Sequence, residues 1–191
     1  MALASPAPRV LGDYLATSRA GSLALVLGGS AFVGIAAQVV IPLPFTPVPL
    51  TLQTFAVLLV GAALGTWRAI ASMVVYAAAG TAGVPWFSAG SSGWGGASYG
   101  YILGFIVAAG LVGHLAERGA TRTPARMATL MVAGNLAIYA IGVSYLKFAI
   151  DASWATALSL GVIPFLLGDA LKILLAAGAF PATWRLARRF D

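Results

Sequence analysis

The chain reads as long apolar stretches separated by short breaks rich in polar residues, glycine or proline. Six stretches stand out, over 22–41, 50–65, 69–84, 100–117, 127–148 and 158–185. A helix crossing the hydrocarbon core needs about 20 predominantly apolar residues, within a range of about 17–25. Each stretch is therefore read as a membrane helix. The second and third are near the short end, and only Trp67 and Arg68 separate their cores. That spacing predicts a helical hairpin with a tight turn. The first 20 residues, MALASPAPRVLGDYLATSRA, are polar and interrupted by prolines, without the apolar middle of a signal peptide. The expected fold is an all-α membrane protein, a single domain over 1–191. A cytoplasmic N-terminal segment, 1–20, precedes a bundle of six transmembrane helices over 21–191, with irregular outer loops.

Charge sets the expected orientation. Arg9 and Arg19 precede the first helix, and Arg68 lies in the turn between the second and third. Arg118, Arg122 and Arg126 lie between the fourth and fifth, and Arg185, Arg188 and Arg189 close the chain. With six crossings all of these fall on one side, whereas 42–49, 86–99 and 149–157 contain no arginine. Cytoplasmic loops carry the excess of basic residues, so both termini are expected inside.

Composition supports the membrane assignment. The sequence is 60% hydrophobic and 8% charged, against about 25% charged in a soluble domain. Absence of cysteine excludes disulfides, iron–sulfur clusters and cysteine-ligated zinc. His114, the only histidine, excludes a histidine-rich metal site and is read as an interfacial residue. The net charge of +6 follows from arginines at the membrane edges, so no nucleic-acid partner is expected.

Two charges break the last apolar stretch, VIPFLLGDALKILLAAGAF. Asp169 and Lys172 are three residues apart and share a helix face. Each charge in hydrocarbon costs roughly 2.5–3.5 kcal/mol on insertion scales, so the pair marks a candidate ligand site. Counted from Pro164, Asp169 lies about five residues into the helix, or roughly 7–8 Å at 1.5 Å per residue. The pair is within reach of an outward-facing pocket.

The outer loops carry further candidates. IPLPFTPVPLTLQ holds Pro42, Pro44, Pro47 and Pro49, which favour stiff, extended backbone. It is either a rigid connector or a pre-ordered lid, with polar groups from Thr46, Thr51 and Gln53. PWFSAGSSGWGGASYGY sets Trp86, Phe87, Trp94, Tyr99 and Tyr101 among glycines. Glycines permit irregular backbone, and aromatics offer apolar walls with polar edges. An aromatic belt at the membrane interface accounts for at least one Trp. Asn135 and Tyr139 are four apart on the fifth helix, where Asn more often joins helices than binds ligands. Ser30 and Gly34 form a small-xxx-small face on the first helix, which permits close approach of another helix. Lys147 snorkels to the outer edge.

Several chemistries are excluded. Neither lysine follows a glycine, so the GK[ST] ending of a P-loop is absent. Asp169 is the only acid within a span, one too few for an aspartyl protease dyad. No histidine stands beside a serine for a hydrolase triad. A binding or transport component is therefore favoured over a small membrane enzyme or an assembly protein.

The stretches QVVIPLPFTPVPLTLQTFAVLLVGAALG, YAAAGTAGVPWFSAGSSGWGG, GYILGF, GNLAIYAIGVSYL and GDALKILLA resemble the BioY family. BioY proteins are the biotin-specific S components of energy-coupling-factor transporters. The proline-rich segment and the GDxxK element are the specific parts, and the resemblance runs from about Ser30 to Ala177. One departure stands at Gly96-Ala97-Ser98-Tyr99-Gly100-Tyr101, where the family tends to have Gly-Pro-Thr-Gly-Gly-Tyr.

The resemblance implies a bacterial or archaeal plasma-membrane subunit that captures biotin externally, without a cofactor or catalytic role. A transmembrane coupling subunit and ATPases would drive delivery inward. On this reading Asp169 accepts from the ureido N–H groups, and Lys172 donates to the ureido oxygen or the valerate carboxylate. Asn135, Tyr101, Thr51 and Gln53 extend the polar shell, and Trp86, Phe87 and Tyr139 flank the rings. The segment holding Pro44, Thr46, Pro47, Val48 and Pro49 closes over the ligand. Ser30 and Gly34 meet the coupling subunit. The alternative is an S component for another small vitamin.

Overall fold

The computed structural model describes residues 10–187; Arg9, Arg188 and Arg189 lie outside them. Seven α-helices form the body: α1 Arg19–Ala36, α2 Gln53–Leu64, α3 Thr66–Thr81, α4 Tyr99–Glu117, α5 Pro124–Ala149, α6 Trp154–Gly161 and α7 Leu166–Ala187. Polar side chains start several of them. Ser18 accepts from the Gly21 amide, Thr123 precedes Pro124 at the head of α5, and Ser153 accepts from the Thr156 amide. Each cap satisfies an otherwise unpaired first-turn donor.

Two boundaries differ from expectation. The first helix ends at Ala36 rather than near Ile41. Val40–Ile41 (β1) instead pairs antiparallel with Leu50–Thr51 (β2), Val40 opposite Thr51. The prolines thus sit in the loop of a short hairpin, where a missing N–H does no harm. The last stretch is two helices, not one. Pro164 lies in a 3₁₀ turn, Ile163–Phe165, between α6 and α7, because proline cannot donate the hydrogen bond a continuous helix requires there.

Among the described residues, four stretches are long and apolar enough to cross a membrane: Arg19–Ala36, Tyr99–Glu117, Pro124–Ala149 and Trp154–Ala187. α2 has 12 residues and α3 has 16, giving about 18 and 24 Å at 1.5 Å per residue. They form the expected hairpin, turning at Gly65 with φ +79°. Such a φ strains any side chain but glycine's.

α4 is the central helix, packed against α2, α3 and α5, while α1 lies on α3 and α7 on α5. Glycine lets backbones meet: a Cβ at Gly113 of α4 would sit 2.6 Å from the Thr66 nitrogen and 2.5 Å from the Gly65 carbonyl carbon. At the same end Glu117 Oε1 accepts from the Thr66 amide at 2.7 Å, so α4 caps α3. Arg68 pairs with Asp13 at 2.8 Å. Trp184 donates to Thr121 at 3.0 Å and carries the Arg122 guanidinium over its ring. The arginine-rich segments therefore gather at one end of the bundle, and the hairpin and the α3–α4 loop lie at the other.

Ser30 and Gly34 do not face outward. The Ser30 hydroxyl, 1% exposed, donates to the Ser72 carbonyl at 2.8 Å. A Cβ at Gly34 would meet Trp86 at 3.2 Å. This corrects the expected partner interface: the small face is consumed by α3 and Trp86, and α1 instead exposes Ala24, Gly28, Ala31 and neighbouring apolar side chains.

Candidate ligand-binding site

A cavity of about 170 Å³ lies between the hairpin, the α3–α4 loop and helices α2, α4, α5 and α7. Its only charged lining residues are Asp169 and Lys172, 5% and 8% exposed. Both sit in the first two turns of α7, on the face turned toward α5 and the hairpin.

Their partners define the chemistry. Asp169 Oδ2 accepts from the Tyr139 hydroxyl on α5. Asp169 Oδ1 lies 3.5 Å from Lys172 Nζ. Lys172 Nζ also donates to the Thr51 carbonyl and the Thr54 hydroxyl, each at 2.9 Å. An ammonium has three donors and no acceptor, so Lys172 is fully occupied. Its shorter contacts run to Thr51 and Thr54, which tie α7 to the foot of the hairpin. A carboxylate has about four lone-pair positions; Tyr139 and Lys172 take two, and about two remain for a ligand donor. Breaking a buried pair by removing one partner costs about 3–5 kcal/mol, because the other charge is stranded.

A second network supports this one. The Thr51 hydroxyl donates to Gln53 Oε1 at 3.1 Å, and Gln53 Nε2 donates to the Tyr76 hydroxyl at 2.7 Å. Tyr76 donates onward to the Trp86 carbonyl at 3.2 Å. Tyr101 lines the cavity, but its hydroxyl donates to the Gly161 carbonyl at 2.8 Å. That bond holds α4 to the end of α6.

Phe87, Tyr101, Tyr139, Thr51 and Gln53 all line the cavity beside Asp169 and Lys172. Asn135 and Trp86 do not, which corrects two expected contacts. Asn135 is buried on α5 one turn before Tyr139, outside the lining. Trp86 turns back into the bundle, where its indole donates to the Tyr76 carbonyl at 3.0 Å and packs on Gly34. Phe87, its neighbour, takes the opposite direction. Of the proline segment, Val48 and Pro49 line the cavity, and Pro44, Thr46 and Pro47 do not. Thr46 instead donates to the Leu160 carbonyl at 2.8 Å.

The sequence reading missed Thr54, Ile102, Phe105, Phe165 and Trp94 as lining residues. Thr54 lies three residues after Thr51, and that spacing was the available signal. The aromatic and aliphatic residues carry no mark that separates lining from core.

A helical membrane bundle with a closed-ended cavity, apolar walls and one buried acceptor pair defines a small-molecule-binding membrane subunit. The comparisons specify which kind. The model of the BioY family matches residues 11–189, and the chain belongs to that family. It is 32% identical to the biotin transporter BioY2 of Lactococcus lactis subsp. cremoris over 158 residues, 81% of this chain and 85% of that protein. It is 36% identical to the biotin transporter BioY of Thermotoga maritima over 140 residues, 72% of this chain and 81% of that one. Its fold matches the crystal structure of the S component for biotin from an ECF-type ABC transporter. The TM-score is 0.78 at 23% identity, over 87% of this chain and 92% of that one.

Proposed function

We propose that this protein is the biotin-capturing subunit of a vitamin uptake transporter and delivers biotin inward with an ATP-driven coupling module. The observation that carries the reading is Asp169. It is a buried carboxylate with about two acceptor positions left open into an otherwise apolar cavity. Biotin's ureido ring presents two N–H donors and one carbonyl, and an ionised carboxylate is acceptor-only. The thioether ring and valerate chain suit the walls formed by Phe87, Ile102, Phe105 and Phe165. Family membership and relatives named as biotin transporters support the same substrate.

Lys172, already bound to Thr51 and Thr54, holds the acceptor in place and reaches the ureido oxygen only by exchanging one of those bonds. A site with buried polar groups rejects analogues that leave them unpaired, so desthiobiotin, which retains the ureido ring, binds better than analogues lacking it. Six crossings with both termini cytoplasmic place the arginine-rich end inside and the cavity outside. The exposed face of α1, with Ala24 and Gly28, offers the coupling subunit a close approach. The ATPases act in partner subunits.

Titration calorimetry of the purified protein with biotin, without ATP or partners, tests the reading. Tight binding is expected. Wild-type protein that ignores biotin but binds another vitamin would overturn the substrate assignment.

A further inference from the structure

Two segments rim the cavity, and they are held very differently. The proline segment is fixed along its length. Its ends pair as β1 and β2. Thr46 donates to the Leu160 carbonyl at 2.8 Å and accepts from the Val48 amide at 3.2 Å. Val48 is buried, and Lys172 anchors the Thr51 carbonyl.

The α3–α4 loop is the opposite case. Its backbone bonds include the Gly93 amide to the Gly80 carbonyl and the Tyr99 amide to the Gly96 carbonyl, each at 2.9 Å. A Cβ at Gly93, Gly95 or Gly96 would meet nothing within 4 Å. Gly93 and Gly95 have φ of +86° and +88°, a conformation that glycine adopts and leaves without steric penalty. Between them stands Trp94, 81% exposed although it belongs to the cavity's lining.

We propose that the segment 93–97 is the moving lid and that Trp94 seals the cavity over bound ligand, while the proline segment is a fixed wall. This rests on the biotin reading given above. The spacing of supports carries it: few contacts and solvent-exposed backbone mark the parts of a protein that open locally. An indole left in solvent beside an apolar cavity gains most by covering a ligand there. The expected binding-site roles are thereby exchanged. The proline segment does not close, and Trp94 supplies the aromatic cover that Trp86, turned into the bundle, cannot.

The test combines dissociation kinetics with indole accessibility in detergent-solubilised full-length protein. Labelled biotin is loaded and chased with unlabelled biotin. Trp94→Ala should release it about tenfold faster than wild type, as loss of an aromatic anchor acts chiefly on the off-rate. Biotin should also protect part of the tryptophan emission from iodide quenching, and Trp94→Phe should abolish that protection while keeping the apolar bulk and the fold. A wild-type release rate in Trp94→Ala overturns the proposal. So does quenching of Trp94 that biotin leaves unchanged, the behaviour of an indole serving as a membrane-interface anchor. If wild type binds no biotin at all, the substrate reading fails and the lid assignment falls with it.

Discussion

The Tyr139 hydroxyl donates to the Asp169 carboxylate, joining α5 to α7 across the cavity. The two residues are 30 positions apart, yet together they set how much acceptor capacity the site retains. Tyr139 restrains one oxygen of the carboxylate and leaves the remaining lone pairs pointing where a ligand can reach. Asp169→Asn replaces an acceptor with a donor-bearing amide facing ligand N–H groups. Biotin affinity by calorimetry should fall about 100-fold, from a lost charged hydrogen bond of about 1.5–3 kcal/mol. Tyr139→Phe keeps the carboxylate and should cost about tenfold.

Lys172 has a structural as well as a binding role. Lys172→Met strands the Asp169 charge and frees Thr51 and Thr54, so both thermal stability and biotin affinity should drop. Loss of one partner from a buried pair costs about 3–5 kcal/mol. The double variant Asp169→Asn with Lys172→Met should recover most of the stability, since no charge is left uncompensated, but none of the binding. A double variant as unstable as Lys172→Met alone would mean that the Thr51 and Thr54 bonds, not the charge, dominate.

Gly113 tests the packing beneath the site. The atoms its Cβ would meet belong to the backbone of the α2–α3 turn, which cannot move aside as a flexible side chain can. Gly113→Ala should destabilise by about 1–3 kcal/mol, the usual cost of overpacking, read as a lowered unfolding midpoint in detergent. Protein that remains folded should bind biotin nearly as wild type.

The absence of cysteine makes the orientation testable without background. Ser92→Cys, on the exposed α3–α4 loop, should react with a membrane-impermeant maleimide in intact cells. Arg126→Cys, exposed at the start of α5, should react only after permeabilisation. The reverse pattern would place the cavity inside.

Much of this protein was legible in its sequence because the membrane imposes a simple code. Apolar runs of the right length marked the helices, and the dipeptide between the second and third marked their hairpin. Asp169 and Lys172 stood out because charges in such a run are costly, and their spacing on one face needed no tertiary information. Pro164 also held a legible signal, the break between α6 and α7, which length alone concealed.

Tertiary structure decided what the side chains meet. Trp86 and Phe87 are adjacent in sequence, but only Phe87 reaches the cavity, because Gly34 on α1 opens a space that Trp86 fills. Asn135 and Tyr139 share a helix face by spacing, yet only Tyr139 extends to α7. Ser30 and Gly34 could serve an inner or an outer contact by sequence, and the position of α3 settled it. Lys172 and its partner Thr54 are 118 residues apart. A hydropathy pattern records which residues avoid water; it does not record which helices become neighbours, and the neighbours turned the charge pair into an acceptor held ready for a ligand.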